Sequence, residues 1–230
     1  MISLVVPTYN EAKNIEEFIK RAASAMDGQD YEIVVVDDNS PDKTADIAQE
    51  FADKYNVRVI VRYKDKGLAN AVMDGIRMTM GDILGVIDAD LSHPPELIPQ
   101  LIEKLNEADI VVASRLVDGG GAEGWPKRRK ISSFIGTFLA RPLMKVKDPM
   151  SGFFFLKRKV IEGIDLKPKG YKILLEILVK ANYENVKEVP FIFKDRTAGE
   201  SKLSLAVSLD YLVQLLDLYL FKIQKCRRKG

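Results

Sequence analysis

Short β-rich runs alternate with helical patterns over the first half of this 230-residue chain. The apolar runs Ile2–Val6 and Glu32–Val36 are each followed by a polar turn and then by apolar residues at helical spacing. This alternation is typical of parallel strands joined by crossover helices. Further strands of this series are predicted at Val57–Val61, Asp82–Ile87 and Asp109–Ala113. The sequence therefore predicts an α/β fold with a Rossmann-like, mostly parallel central sheet flanked by helices.

Helix start signals follow several of these strands. Asn10 is predicted to cap the first helix, and Ser40-Pro41 to open a second helix that runs through about Tyr55. After residue 115 the alternation loosens, although two more strands are predicted, at Phe153–Leu156 and Val186–Phe193. The remaining helices are predicted over Gly67–Met80, from Pro94 onward, over about 130–145, over Ile173–Ala181 and over Ser201–Lys225.

Composition narrows the classes of function. A formal net charge of +2 is too small to indicate a nucleic-acid partner, and we expect none. The single cysteine, Cys226, cannot form an internal disulfide, and the single histidine, His93, excludes a zinc site built on several imidazoles. The first apolar run ends at Pro7 and no run of about 18 to 20 apolar residues follows, so we expect neither signal peptide nor transmembrane helix. These features predict a cytoplasmic protein.

Acidic and polar residues follow three of the predicted strands. Asp88 and Asp90 are two positions apart at a strand end, so their side chains point the same way. The ends of parallel strands meet at one edge of the sheet, where ligands bind. Magnesium and manganese favour one or two carboxylates together with substrate phosphate oxygens. The pattern predicts a metal-assisted phosphate site, and residues alone leave open the alternative of turns that merely cap helices.

Five segments, taken in order, resemble glycosyltransferase family 2, which has the GT-A fold. They are PTYNE (7–11), VVVDDNSPDKT (34–44), DADLSHPPE (88–96), SGFF (151–154) and GESK (199–202). The match covers essentially the whole chain and is closest to the polyprenol-phosphate branch, the dolichyl-phosphate mannose synthases. The resemblance implies inverting, metal-dependent transfer of mannose from GDP-mannose to dolichyl or polyprenyl phosphate, which yields polyprenyl-phosphate mannose and GDP.

The resemblance also assigns a nucleotide site. It implies that Pro7, Tyr9 and Glu11 hold the guanosine. Asp38 is expected to read the base, with Asp37 beside it. These residues follow the first and second predicted strands, at the same edge as the paired aspartates.

Metal binding is assigned in the same way. The resemblance implies that Asp88 contacts the nucleotide sugar and that Asp90 is the principal ligand of Mn²⁺ or Mg²⁺. Some relatives place a metal-binding glutamine two positions after the second aspartate; here Ser92 stands there, and its shorter side chain makes it a doubtful ligand. For His93 we expect a structural role. Arg115 is expected to neutralise the diphosphate.

The acceptor site is expected in the second half of the chain. Arg129 and Ser133 match positions that bind the lipid phosphate, while Arg196 and Lys202 fall in a loop that closes over both phosphates. Some relatives carry a further arginine where this chain has Ala198, so the charge of that loop is reduced. The catalytic residues implied by the resemblance are Asp88, Asp90, Arg115 and Arg196.

With no internal repeat or linker, we predict one domain over residues 1–230. Residues 1–115 form its nucleotide-sugar-binding half, 116–200 its acceptor-binding half, and 201–230 an amphipathic C-terminal helix. That helix carries an apolar face opposite Asp210, Gln214 and Asp217 and has a basic end, and we favour an interfacial helix over a core helix. We expect a peripheral protein at the cytoplasmic face of a membrane, and a membrane-anchoring subunit is a further partner that this reading allows. The residues of the apolar face are Leu205, Leu209, Leu212, Val213, Leu216, Leu220 and Ile223.

Three alternatives stay open. In the first, the fold and the acceptor are the same and UDP-glucose is the donor. In the second, the acceptor is a saccharide hydroxyl. A hydroxyl acceptor needs a general base, for which Asp148 and Asp195 are the candidates. The third alternative is a nucleotide-sugar-binding membrane scaffold without activity.

Overall fold

The computed structural model describes residues 1–167, 172–194 and 205–227. Seven strands form one sheet in the order β3-β2-β1-β4-β7-β5-β8, and two short strands, β6 and β9, form a second sheet. The bounds are β1 Ile2–Thr8, β2 Tyr31–Asp37, β3 Val57–Val61, β4 Ile83–Val86, β5 Ile110–Ser114, β6 Gly121–Ala122, β7 Phe154–Lys157, β8 Val186–Pro190 and β9 Ile192–Phe193.

Neighbouring strands of the large sheet are parallel except at β7, which pairs antiparallel with both β4 and β5. The predicted α/β class and mostly parallel sheet are therefore confirmed. Because β7 runs the other way, the residues just before it, 151–153, lie at the same edge as the carboxyl ends of the parallel strands. That edge carries the candidate site.

Eight helices lie in the part of the chain that the structure describes: α1 Ile15–Ala25, α2 Thr44–Gln49, α3 Ala52–Tyr55, α4 Leu68–Met78, α5 Ile98–Lys104, α6 Lys127–Ala140, α7 Ile173–Lys180 and α8 Leu205–Arg227. One face of the sheet is covered by α1 and α5, through Phe18 and Leu101. The opposite face is covered by α4 and α7, through Val72 and Ile177. Burial on both faces explains why the central strands are apolar runs.

Two predicted helix caps are wrong. Asn10 lies five positions before α1 and has a φ of 60°, while Ser40 precedes α2 by four positions. The backbone N–H of Asn10 donates to Ser40 Oγ at 2.9 Å, and that of Glu11 donates to Thr44 Oγ1 at 2.9 Å. The Ser40 and Thr44 hydroxyls therefore join two loops, and the predicted helix through Tyr55 is divided into α2 and α3.

The predicted strand Val186–Phe193 is also divided. Its neighbour β5 ends at Ser114, so the next residues pair with Gly121–Ala122 instead. The N–H groups of Gly121 and Glu123 donate to the carbonyls of Phe191 and Phe193, at 3.0 and 2.8 Å. This ribbon fixes the chain that leads into α6.

The C-terminal helix α8 packs with a face other than its apolar stripe. Tyr211, Leu215 and Leu218 are buried against Leu175 and the end of α6, and Gln214, expected on the exposed side, is buried with them. The predicted apolar face, from Leu209 to Ile223, is exposed; the side chain of Leu205 lies outside the described side chains. Among the described residues, no helix has both the length and the apolar character required to cross a membrane.

We expect Gly75→Ala to destabilise the protein although alanine favours helix. A Cβ at Gly75, in α4, would lie 2.4 Å from Val5 Cγ1, and such overpacking costs about 1–3 kcal/mol, against a gain of ~1 kcal/mol in helix propensity. The matched control is Gly136→Ala in α6, where the nearest atom is the flexible Met150 Sδ at 3.1 Å. Urea denaturation should show a lower free energy of unfolding for Gly75→Ala and not for Gly136→Ala. Equal free energies of unfolding for both variants would contradict this packing.

Candidate functional site

The carboxyl ends of four strands bring the predicted residues to one edge of the sheet. Tyr9 follows β1, Asp38 follows β2, Asp88 follows β4 and Arg115 follows β5. In the sheet order these strands are neighbours except where β7 intervenes. The edge therefore has the predicted nucleotide side at β2 and β1 and the predicted phosphate side at β4 and β5.

On the nucleotide side, Asp37 is fully buried and holds the turn after β2. Its carboxylate accepts hydrogen bonds from Thr8 Oγ1 at 2.8 Å, from Ser40 Oγ at 2.6 Å and from the Ser40 N–H at 2.7 Å. These bonds fix the position of the next residue, Asp38. The predicted contact of Asp37 with a nucleotide stays a prediction.

Asp38 belongs to a buried ion network that the sequence did not reveal. Arg62 donates through Nη1 to Asp38 Oδ1, through Nε to Asp74 Oδ2 at 2.8 Å, and through Nη2 to the carbonyl of Asp65 at 2.6 Å. The N–H of Gly67 donates to Asp38 Oδ2 at 2.6 Å. The carboxylate predicted to read the base is thus oriented from two directions.

The other predicted nucleotide residues lie beside this network. Pro7 is the penultimate residue of β1, and Tyr9 is partly exposed, with Lys66 Nζ 5.9 Å from the centre of its ring. Glu11 accepts a hydrogen bond from Asn14 Nδ2 at 2.8 Å. An exposed aromatic face beside a lysine is a surface on which a base and a phosphate can both bind.

The two predicted metal ligands lie just after β4. Asp90 is buried and accepts a hydrogen bond from the Ser92 N–H at 3.0 Å, whereas the side chain of Asp88 is 26% exposed. A Cβ at Gly152 would lie 2.7 Å from Asp88 Oδ2, so a larger residue here would force the Asp88 carboxylate to move. The SGFF segment thus contributes space to the site.

These residues fit a magnesium or manganese ion. Within the described ranges, no three His, Cys, Asp or Glu side chains form a metal-binding group. Mg²⁺ and Mn²⁺ do not require one, because they are held by one or two carboxylates together with phosphate and water oxygens. Ser92 Oγ is buried and has no hydrogen-bond partner among the described residues, which leaves an oxygen ligand beside Asp90.

His93 is a structural residue in this arrangement. Its ring packs against Phe153, Phe191 and Phe193, with centroid distances of 5.3 to 5.7 Å. Burial lowers the pKa of His93 to about 4, so the imidazole is neutral at pH 7. Its Nδ1 lies 3.8 Å from Asp88 Oδ2, beyond hydrogen-bond distance. The expected structural role agrees with these contacts.

Arg115 forms a two-pronged ion pair with Asp148. Its Nε and Nη2 donate to the two carboxylate oxygens at 2.8 and 2.7 Å, and its backbone N–H donates at 3.0 Å. Asp148 is fully buried. Burial alone would raise the pKa of Asp148, but the hydrogen bonds and charge of Arg115 hold that pKa below its usual value. This buried, ion-paired state argues against Asp148 as a general base, and Asp195 lies outside the described residues.

A second cation, Lys172, was missed because no motif surrounds it. Its Nζ donates to the carbonyl of Met150 at 3.0 Å, close to the turn that precedes β7. Burial of the ammonium group, together with the positive charge of Arg115, lowers the pKa of Lys172 to about 8. The lysine still carries its proton at pH 7 and adds positive charge to the phosphate side.

The predicted acceptor residues lie on α6. Arg129 and Ser133 are four positions apart, so they share the helix face that is turned toward the protein. Arg129 Cζ lies 4.3 Å from the centre of the Trp125 ring, and Arg115 Cζ lies 5.2 Å from the same point. The structure thus brings Arg129 next to Arg115. The predicted residues Arg196 and Lys202 lie outside the described residues.

We expect Arg62→Leu to destabilise the protein strongly, because removing one partner of a buried ion pair costs about 3–5 kcal/mol. The matched control is Arg77→Ala, which removes an exposed partner of the same Asp74 and should change the free energy of unfolding by less than about 0.5 kcal/mol. Urea denaturation of both variants measures the difference. A small effect of Arg62→Leu would show that Asp38 is not held by this network.

Comparison with known proteins identifies the family. The sequence profile described as "Glycosyl transferase family 2" matches residues 3–164. The chain is 50% identical over 216 residues to a dolichol-phosphate mannosyltransferase from Pyrococcus furiosus, covering 92% of this chain and 61% of that protein. It is 40% identical over 233 residues to a dolichol-phosphate mannosyltransferase from Saccharomyces cerevisiae, covering 96% of this chain and 87% of that protein.

Solved structures agree on the fold. Glucosyl-3-phosphoglycerate synthase from Mycobacterium tuberculosis superposes with a TM-score of 0.68 at 22% identity, covering 95% of this chain and 79% of that chain. Mannosyl-3-phosphoglycerate synthase from Rubrobacter xylanophilus gives a TM-score of 0.67 at 20% identity, covering 98% and 75%. The expected GT-A fold is confirmed, and the chain belongs to glycosyl transferase family 2.

Proposed function

We propose that this glycosyltransferase moves mannose from GDP-mannose to dolichyl or another polyprenyl phosphate, with inversion at the anomeric carbon. The observation that carries the proposal is the pair Asp88 and Asp90 beside Arg115, Arg129 and Lys172 at one edge of the sheet. Relatives from P. furiosus and S. cerevisiae are named dolichol-phosphate mannosyltransferases, which supports this sugar and this acceptor. The chain spans 61% of the length of the P. furiosus protein.

The proposed donor site combines the two sides of the edge. Tyr9, Pro7 and Glu11 hold the guanosine, and Asp38, oriented by Arg62, reads the base. Asp88 contacts the sugar nucleotide and Asp90 is the main metal ligand. Residues 1–115 supply this half of the site, residues 116–200 the acceptor half, and residues 201–230 the C-terminal helix of the same domain.

A bound Mn²⁺ or Mg²⁺ supplies positive charge to the diphosphate as it leaves. A related glucosyl-3-phosphoglycerate synthase has been crystallised with Mn²⁺ and UDP-glucose, which supports a divalent ion here. Arg115 is fixed by Asp148 before substrate binds, so its charge is in place when negative charge develops on the leaving group. Arg196 is proposed to act on the same charge.

The acceptor phosphate needs no general base. Its second pKa is about 6, so it is largely ionised at pH 7 and is already a nucleophile. Arg129, Ser133, Lys202 and Arg196 are proposed to bind it. One direct displacement inverts the anomeric carbon, and the ion-paired state of Asp148 weakens the alternative of a saccharide hydroxyl, which requires a base.

The reaction is tested by incubating the protein with Mn²⁺, a short polyprenyl phosphate and either GDP-mannose or UDP-glucose. We expect transfer from GDP-mannose, and loss of transfer when EDTA removes the ion. Transfer from UDP-glucose alone would replace the donor, and a product that resists mild acid would indicate a saccharide acceptor. Absence of any transfer would favour the scaffold alternative.

Asp90→Ala should abolish turnover, with a loss of at least roughly 10³-fold in kcat, because the metal loses its main ligand. Asp82→Ala is the matched control, since the side chain of Asp82 is exposed at the opposite end of β4. Steady-state rates at saturating GDP-mannose make the comparison. An unchanged kcat in Asp90→Ala would place the metal site elsewhere.

A membrane surface is the second proposed partner, because two contacting helices expose apolar faces. Tyr211 and Tyr219 of α8 donate hydrogen bonds to the carbonyls of Gly136 and Leu139 in α6, at 2.6 and 2.8 Å. Contiguous exposed apolar faces on neighbouring helices are typical of interaction sites. The exposed residues are Ile131, Phe134, Ile135, Phe138 and Leu139 in α6, and Leu209, Leu212, Val213, Leu216, Leu220 and Ile223 in α8.

A lipid surface fits these helices better than a soluble partner, because α6 begins with three exposed basic residues, Lys127, Arg128 and Lys130. Basic residues beside an apolar helix face bind anionic headgroups. We propose that the protein is peripheral at the cytoplasmic face of a membrane, where its lipid acceptor lies. The membrane-anchoring subunit stays a prediction.

Phe134→Glu should weaken binding to liposomes of mixed neutral and anionic lipid by at least about ten-fold, because a buried phenylalanine contributes about 1.5–3 kcal/mol. The control is Met80→Glu, which changes another apolar residue that is 84% exposed and lies outside α6 and α8, between α4 and β4. Co-sedimentation measures the partition coefficient. Equal losses for both variants, or none for Phe134→Glu, would contradict a membrane-facing α6.

A further inference from the structure

Trp125, the only tryptophan of the chain, carries two guanidinium groups on its ring. Arg129 Cζ lies 4.3 Å and Arg115 Cζ 5.2 Å from the ring centre. Both distances are within the range of about 6 Å over which a cation is attracted to an aromatic face, and tryptophan gives the strongest such attraction. The two arginines belong to different elements, one after β5 and one in α6.

The ring itself is held in place by the ribbon of β6 and β9. The N–H of Glu123 donates to the carbonyl of Phe193 at 2.8 Å, and the rings of Trp125 and Phe193 meet edge to face at 5.4 Å. On the other side, Pro126 caps α6 and accepts a hydrogen bond from the N–H of Arg129 at 2.9 Å. The ring is therefore fixed relative to Arg129.

Contacts of the aromatic ring hold the indole of Trp125 in position, without a hydrogen bond to any described residue. Trp125 Nε1 is buried and has no partner among the described residues. A buried N–H without a partner is unfavourable, so packing and the two cations must compensate for it. Stacking occupies the flat face of a guanidinium and leaves its edge N–H groups directed at anions. A tryptophan is thus suited to hold an arginine that binds phosphate.

The two arginines depend on this ring to different degrees. Arg115 is also held by two hydrogen bonds to the buried carboxylate of Asp148. Among the described residues, the ring nearest to Arg129 Cζ is that of Trp125. The ring centre of Phe193 is farther from the same atom, at 5.6 Å. Arg129 lies nearer the Trp125 ring than Arg115 does, so loss of Trp125 removes the closer of the two contacts and should displace Arg129 more.

We propose that Trp125 is a positioning residue that sets Arg129, beside Arg115, for binding of the acceptor phosphate. The inference rests on the proposed function, because it takes Arg129 as the group that binds the lipid phosphate. Trp125 then joins the donor side and the acceptor side of the site through one aromatic ring. It also becomes a built-in fluorescent reporter of acceptor binding.

The first test compares the KM values of Trp125→Leu and Trp125→Phe with those of the original protein. Trp125→Leu should raise the KM for polyprenyl phosphate about ten-fold and the KM for GDP-mannose less than about three-fold. Trp125→Phe keeps a ring and should recover most of the acceptor KM. Tyr63→Leu, which changes an exposed aromatic residue elsewhere, is the control and should change neither value.

An unchanged acceptor KM in Trp125→Leu, or equal rises in both KM values, would overturn the positioning role. If the original protein transfers no mannose, the proposed function fails instead, so the two failures are distinguishable. Thermal unfolding of each variant identifies a general folding defect, in which case Trp125→Phe and the binding test below decide.

The second test needs no turnover. Farnesyl phosphate added to the original protein in detergent should change the Trp125 fluorescence in a saturable way, and farnesol should not. In Arg129→Gln the apparent Kd for farnesyl phosphate should rise about ten-fold. Identical responses to farnesyl phosphate and farnesol, or an unchanged Kd in Arg129→Gln, would show that the ring does not report on the phosphate and would overturn the proposal.

Discussion

The buried ion pair of Arg115 and Asp148 is the interaction on which the rest of the site depends. Asp148 is fully buried, and the N–H groups of Lys147 and Asp148 are themselves held by the carboxylate of Glu188 in β8, at 2.8 and 3.0 Å. A buried carboxylate of this kind is tolerated only when a cation and hydrogen bonds satisfy it. The cost of burying Asp148 is offset by its ion pair with Arg115. The same ion pair fixes the Arg115 guanidinium at the edge where the diphosphate is expected.

Because Asp148 offsets part of the charge of Arg115, additional groups have to contribute to the positive charge that holds two phosphates. Among the described residues, Lys172 and Arg129 lie next to the ion pair of Arg115 and Asp148. The carboxylates of Asp88 and Asp90 are suited to bind a divalent ion. A fixed set of cations lowers the energy of developing negative charge without reorganisation during the reaction. In the proposed peripheral placement, the exposed apolar faces of α6 and α8 would bring Arg129 and Ser133 to the level of a lipid headgroup.

The parts that depend on local pattern were predictable from the sequence. The strand Val57–Val61 was predicted with its bounds, and the ends of β4 and β5 were placed within one or two residues, because β-branched runs and the polar turns after them are short-range signals. The roles of Asn10 and Ser40 were not predictable from the sequence. The Asn10 N–H donates to Ser40 Oγ, 30 positions away, and neither residue caps the helix that follows it. Arg62, Asp148 and Trp125 acquire their roles through partners brought together by the sheet, as the separation of 24 positions between Arg62 and Asp38 illustrates.

The central claim is that one edge of the sheet gathers the donor diphosphate between a metal at Asp90 and the guanidinium of Arg115. A crystal grown with GDP and Mn²⁺, measured for the anomalous signal of manganese, tests it most directly. The account predicts a manganese peak at coordination distance from an Asp90 carboxylate oxygen, with the diphosphate between that ion and Arg115. A manganese ion and diphosphate bound away from Asp90, with Arg115 still paired only to Asp148, would contradict it.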